Sequence, residues 1–151
     1  MFSFLRRKKK FFTEEEQRLI VSAIQKAEHA TSGEIRVFVE SRCSYMDALD
    51  RAVELFAQMG MQATQERNGV LVYVAIKDQQ FAVFGDEGIH RKVGTDYWNT
   101  EVIKMMRDFN REDYAVGIAG CVEDIGHALQ QFFPYTADDK NELPDDIQFG
   151  R

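Results

Sequence analysis

The sequence has only two cysteines, Cys43 and Cys121, which show no metal-ligand spacing and cannot build a disulfide framework. That scarcity fits a reduced, cytoplasmic compartment. Neither thiol has an arginine at the spacing of a thiol-phosphatase loop, because Leu49 and His127 stand where it would fall. Long apolar runs are missing as well. No stretch approaches the roughly 18 residues that a membrane-spanning helix needs, and MFSFLRRKKKFF places its charges after a short apolar segment, the reverse of a secretory signal. The glycines build no phosphate loop ending in Lys-Ser/Thr, no GxGxxG fingerprint and no GxSxG elbow. His29, His90 and His127 are dispersed without metal-ligand spacing. Only His90, beside an acidic loop, has a position that suits a proton carrier.

What is present is mostly acid. The net charge is −6, yet Arg6, Arg7, Lys8, Lys9 and Lys10 contribute +5, so the remainder carries −11. An acidic body disfavours non-specific nucleic-acid binding and is compatible with cations. The basic run, flanked by Phe2, Phe4, Leu5, Phe11 and Phe12, suits a peripheral contact with an anionic membrane or a partner, each basic residue adding roughly 1 kcal/mol. Its plainer alternative is a solvated leader. A length of 151 residues with 44% hydrophobic content suits one domain. The division is a basic, flexible leader at 1–12, a single domain at 13–133, and an acidic tail at 134–151 expected to be mobile or loosely docked.

The chain is organised around NGVLVYVAIKDQQFAVFGDEGI, residues 68–89. Val70 to Ile76 is an unbroken apolar run, the signature of a strand buried on both faces, and should be the central strand. After a polar break, Phe81 to Phe84 forms a second run, so the two make an antiparallel hairpin. Upstream, Thr13 and Glu16 have capping-box spacing ahead of a helix with Leu19, Ile20, Ala23, Ile24 and Ala27 on one face. Ile35, Val37 and Val39 alternate with polar neighbours as a strand. A second helix, with Leu49, Ala52, Val53, Phe56, Met59 and Ala63 as its stripe, links that strand to the central one. Strand, helix and strand form a right-handed parallel βαβ unit.

After the GDEG loop, Ile89–Val93 is expected as a short helical turn. Thr95 or Asp96 should cap a third helix carrying Trp98, Val102, Met105, Met106 and Phe109, and Asp113 a fourth, running to Phe132. Gly117 and Gly120 in the last helix imply close packing there. The fold class is therefore α/β: a three-layer α/β/α sandwich around a small mixed sheet.

Hard cations such as Ca2+ and Mg2+ gather oxygen ligands. The two glycines of Gly85-Asp86-Glu87-Gly88 permit a tight path that turns the carboxylates outward. Topology returns this loop to the edge where the parallel strands begin, which also carries Glu34, Glu66 and Asn68. Asp86, Glu87 and Glu34 are thus the first candidate ligands. The opposite edge, with Ser41, Ser44, Asp47 and Asp78, competes, since ligands favour the C-terminal ends of parallel strands. Each acid also has a plainer role: Asp86 in a turn, Asp47 as a helix cap, Glu34 as a solvated strand end.

FFTEEEQRLIVSAIQKAEHATSGEIRVFVE, the 68–89 segment and the glycine-containing last helix closing at FFP together give the chain its likeness to a known family. It resembles the TPM-domain family, named for thylakoid-lumen, photosystem II-repair and receptor-modulator members, in its short bacterial branch, over about Phe12–Phe133. The resemblance implies an α/β/α sandwich. It brings associations with divalent-metal binding, with acid phosphatase activity, and with assistance to membrane complexes. Only the GDEG loop carries over residue by residue. Unlike many members, this sequence has neither a signal peptide nor a C-terminal anchor, so a cytoplasmic, at most membrane-peripheral, place is expected.

Two functions follow. The favoured one is a non-enzymatic module that binds Ca2+ or Mg2+ and an unspecified protein partner, accessory to a membrane-associated complex. The alternative is a metal-assisted acid phosphatase for phosphate monoesters, in which a cation on Asp86 and Glu87 polarises a phosphoryl oxygen. Arg36 and Arg91 are the nearest phosphate-gripping cations for it. A shared fold does not confer a site, which is why the first is preferred.

Overall fold

The computed structural model describes residues 11–135 and 146–150. The basic run Arg6, Arg7, Lys8, Lys9 and Lys10 lies outside the described residues, as does most of the acidic tail, 136–145. The first helix, α1 (Glu14–Glu28), starts at the expected capping box: Thr13 Oγ1 accepts from Glu16 N at 3.1 Å, and Glu16 Oε1 accepts from Thr13 N at 2.8 Å. These bonds satisfy donors that a helix start leaves unpaired. Ile20, Ile24 and Ala27 form the buried stripe. There follow β1 (Glu34–Glu40), α2 (Ala48–Gln58), β2 (Gly69–Ala75), β3 (Gln80–Gly85), α3 (Glu87–Val93), α4 (Thr95–Asn110), α5 (Tyr114–Phe132) and β4 (Gln148–Phe149).

The sheet order is β3-β2-β1-β4. β1 and β2 are parallel from Glu34 opposite Gly69 to Glu40 opposite Ala75, and β3 runs antiparallel to β2. The expected βαβ unit and hairpin are both present. β2 is buried at all seven positions because each face is covered. Val70, Val72 and Val74 pack with Ile35, Val37 and Val39 against α1, α4 and α5, while Leu71, Tyr73 and Ala75 pack with Leu55 and Phe56 on α2. Burying a Val or Leu side chain contributes roughly 1.5–3 kcal/mol, so the doubly covered strand anchors the sandwich.

Four local expectations change. The helix after GDEG starts at Glu87, two residues early, because Asp86 caps it. In α5, Gly117 sits near Asp108, but Gly120 faces open space. The tightest approach is at Gly126, where an added Cβ would lie 2.6 Å from Ala27 Cβ, so this glycine lets α5 lie against α1. The chain end is not merely an acidic tail. Phe149 pairs beside Val39 and stacks on Phe11 at 5.9 Å, and Ile147 is buried, so two apolar residues suffice to dock a fourth strand. Finally, Leu49 and Val53, expected in the core, are 52% and 42% exposed. The sheet stops at β3, so nothing among the described residues covers that side of α2.

Candidate functional site

Asp86 lies at the edge where β1 and β2 begin, as the topology requires: its N–H donates to Gly69 O at 2.9 Å. The expectation that it points outward is corrected. Asp86 is buried, and Arg67 grips it with two nitrogens, Nε to Oδ2 at 2.6 Å and Nη2 to Oδ1 at 2.9 Å. Oδ1 also accepts from Glu87 N at 2.8 Å, capping α3. Such paired, charge-assisted bonds orient a carboxylate as well as stabilise it. Arg67 itself holds a left-handed φ of 54°, a conformation that costs a side-chain-bearing residue roughly 1–2 kcal/mol. Its carbonyl is fixed by Gly88 N at 2.8 Å. Glu87 is more open, 3.8 Å from Arg67 Nη1 and 3.5 Å from Arg91 Nη2.

The loop's glycines serve space, since neither Gly85 nor Gly88 has a positive φ. A Cβ on Gly85 would lie 2.2 Å from Trp98 Cζ2, and one on Gly88 would lie 2.1 Å from the Glu66 carbonyl oxygen. Trp98 is held over Gly85 by donating Nε1–H to His90 Nδ1 at 3.0 Å. This bond requires Nδ1 to be an acceptor, so His90 carries its proton on Nε2.

The other candidate ligands are dispersed. Glu34 is buried at the start of β1, where its charge acts on Arg36. Asp47 Oδ1 caps α2 by accepting from Asp50 N at 2.8 Å. Asp78 accepts from Arg42 Nη1 at 3.0 Å and Cys43 N at 2.8 Å. Among the described residues no three His, Cys, Asp or Glu side chains converge as ligands for one ion. The residues therefore do not fit a preassembled Ca2+ or Mg2+ site, because an ion at Asp86 would first have to displace Arg67. Arg36 and Arg91 serve different carboxylates. Arg36 is buried, and burial lowers its guanidinium pKa against the opposing charges of Glu28 and Glu34, whereas exposed Arg91 pairs with Glu87.

Two features were not anticipated from the sequence. The first is a groove of about 850 Å³ along the outer edge of β3, running from Phe81 to Asp86. Leu49 on α2 forms one wall, and Trp98, Asn99, Val102 and Ile103 on α4 form the other, with Ile103 56% exposed. Its size falls within the range of ligand clefts. Among the described residues, the carboxylates lining it are those of Asp86 and Glu87, both paired with arginine. The available signal was weak: Leu49 reads as a member of the α2 stripe, and Ile103 is an extra apolar residue beside the α4 stripe.

The second is Glu101, buried between α4 and α5, with Oε2 3.5 Å from Lys104 Nζ, which also reaches Asp124 Oδ2 at 3.1 Å. Burial, reinforced by the charge of Asp124, pushes the Glu101 carboxyl up to about 7. The adjacent Cys121 thiol is raised by burial too, which keeps it protonated and unsuited to nucleophilic attack.

Comparison with known proteins agrees with this fold. Residues 5–128 match the model of the TPM domain, a model labelled as a phosphatase. The chain is similar to the BA42 protein of the psychrophilic bacterium Bizionia argentinensis, solved by NMR: identity is 40%, coverage is 96% of this chain and 99% of that one, and the TM-score is 0.86. The N-terminal domain of the cg2496 protein of Corynebacterium glutamicum shares the fold at 14% identity, with 91% and 80% coverage and a TM-score of 0.63. No curated protein matches.

Proposed function

The chain belongs to the TPM-domain family, and on that premise we propose that it is a non-enzymatic module that binds a protein partner through the groove beside β3. The observation that carries this reading is the groove itself, with apolar walls on which Leu49 and Ile103 are more than half exposed. Large exposed apolar patches of this kind mark interaction surfaces in soluble proteins. The partner it suits presents an apolar segment. A cation enters this reading in one form, as an ion held by Asp86 and Glu87 after Arg67 has moved aside. The basic run Arg6–Lys10 adds a peripheral contact with anionic lipid, consistent with an accessory role at a membrane-associated complex.

The phosphatase reading has less support. Both oxygens of Asp86 are engaged by Arg67, and one also caps α3, so Asp86 is not free to attack or to hold a metal-bound water.

The test is site-specific photo-cross-linking in cells. A photoreactive residue at Ile103 should give an adduct with one identified protein, and the same residue at exposed Ser22 on α1 should not. Equal labelling from both faces would overturn the assignment of the groove.

A further inference from the structure

Asp86 N–H bonds to Gly69 O, so the Gly69–Asp86 pair is a hydrogen-bonded one. The antiparallel register then alternates along the hairpin. Residues 80, 82 and 84 direct their backbone N–H and C=O groups toward β2. Phe81, Val83 and Gly85 direct theirs the other way, into the groove. β3 ends the sheet, and among the described residues these outward groups have no backbone partner.

Natural sheets blunt such an edge with lysine, proline, a bulge or a covering element. QFAVFG has no charge and no proline, and its register with β2 is unbroken. From this we propose that the groove receives an extended peptide from the partner, paired as a fifth strand onto β3. The proposal rests on the groove being the partner site, and it names the kind of ligand. A strand there presents alternate side chains to the two walls, Leu49 on one and Val102 and Ile103 on the other, as its period of two demands. The ladder supplies affinity and the walls select apolar residues at alternating positions. A second copy of the chain fits less well. Strands pair at about 4.8 Å, and two edges each recessed between helix walls would bring those walls together first.

Random octapeptides displayed in a library and selected on the full chain provide the probe. Selected sequences are expected to alternate apolar and polar residues. In amide NMR titrations they should shift Phe81, Val83 and Gly85 and slow the hydrogen exchange of these three amides. A version of the peptide N-methylated at alternate residues keeps every side chain but loses the pairing donors, and should bind at least tenfold more weakly. The Ile103→Asp chain should lose binding by a similar factor while keeping its fold.

Undiminished binding of the N-methylated peptide would overturn strand addition yet leave the groove as a partner site. Selected peptides that shift residues elsewhere, or a selection that yields no groove binder, would also overturn it. So would a concentration-dependent doubling of molecular size without peptide, accompanied by protection of Phe81 and Val83, which would assign the edge to a second copy.

Discussion

Arg67 and Asp86, nineteen residues apart in the chain, are locked by two parallel N–H···O bonds of 2.6 and 2.9 Å. The pair ties the turn before β2 to the helix start after β3, and the carboxylate most exposed to view in the sequence becomes a buried brace. Replacing Asp86 with alanine removes both the brace and the α3 cap. The expected loss is about 2 kcal/mol, combining a lost cap with a partly solvated ion pair. Urea denaturation measures it, and Asp86→Asn, which retains a capping oxygen, should fall between wild type and alanine.

The same pair governs cations. Arg67→Gln frees Asp86 Oδ2, leaves Oδ1 with only its α3 cap, and removes a cation from the carboxylate pair with Glu87. Titration with Ca2+ or Mg2+, followed by amide NMR, should produce saturable shifts at Gly85 to Gly88 at lower concentration in this variant than in wild type. Equal responses in the two proteins would show that Asp86 takes no part in cation binding.

Glu101 makes stability depend on pH. Its carboxyl titrates at about 7 in the folded chain against 4.5 as a free group, so between those values the native state holds a proton that the unfolded state has released. This contribution is greatest below the lower value and is lost as pH rises through the upper one. Its ceiling is about 3 kcal/mol, at 1.36 kcal/mol per unit, reduced by the half-exposed Lys104 nearby. Glu101→Gln should flatten the difference in unfolding free energy between about pH 5 and about pH 7.5. A slope unchanged by the substitution would assign it to another group.

The two loop glycines should differ in their tolerance of alanine. At Gly88 the added methyl meets the Glu66 and Arg67 carbonyls, which belong to a turn already fixed by the left-handed Arg67. At Gly85 it meets the Trp98 ring, which can tilt by giving up its bond to His90. Overpacking typically costs about 1–3 kcal/mol. Gly88→Ala is expected at the top of that range or beyond, and Gly85→Ala nearer the bottom. Indole fluorescence should change for Gly85→Ala alone.

The basic run is tested with vesicles. The chain should sediment with anionic lipid vesicles at low salt and be released as salt rises toward physiological strength and above. Replacing Arg6, Arg7, Lys8, Lys9 and Lys10 with serine should abolish the association, which neutral vesicles should not support.

The sequence by itself determined the elements from α1 to α5 and their order. Thr13 and Glu16 start α1 by neighbouring contacts alone, the seven-residue run in β2 needs cover on both faces, and the short break after it forces a hairpin. These are local rules of capping, periodicity and loop length, readable without knowing where anything else lies. Only the tertiary structure decided how the site is used. Local sequence cannot reveal that Arg67 will meet Asp86, that Gly85 makes room for Trp98, or that Ile147 and Phe149 return to pair with β1, because each depends on the positions of two distant segments at once. The groove is the extreme case. Leu49 and Ile103 carry the same apolar signal as the core residues beside them, and they are exposed because, among the described residues, no strand follows β3 to bury them.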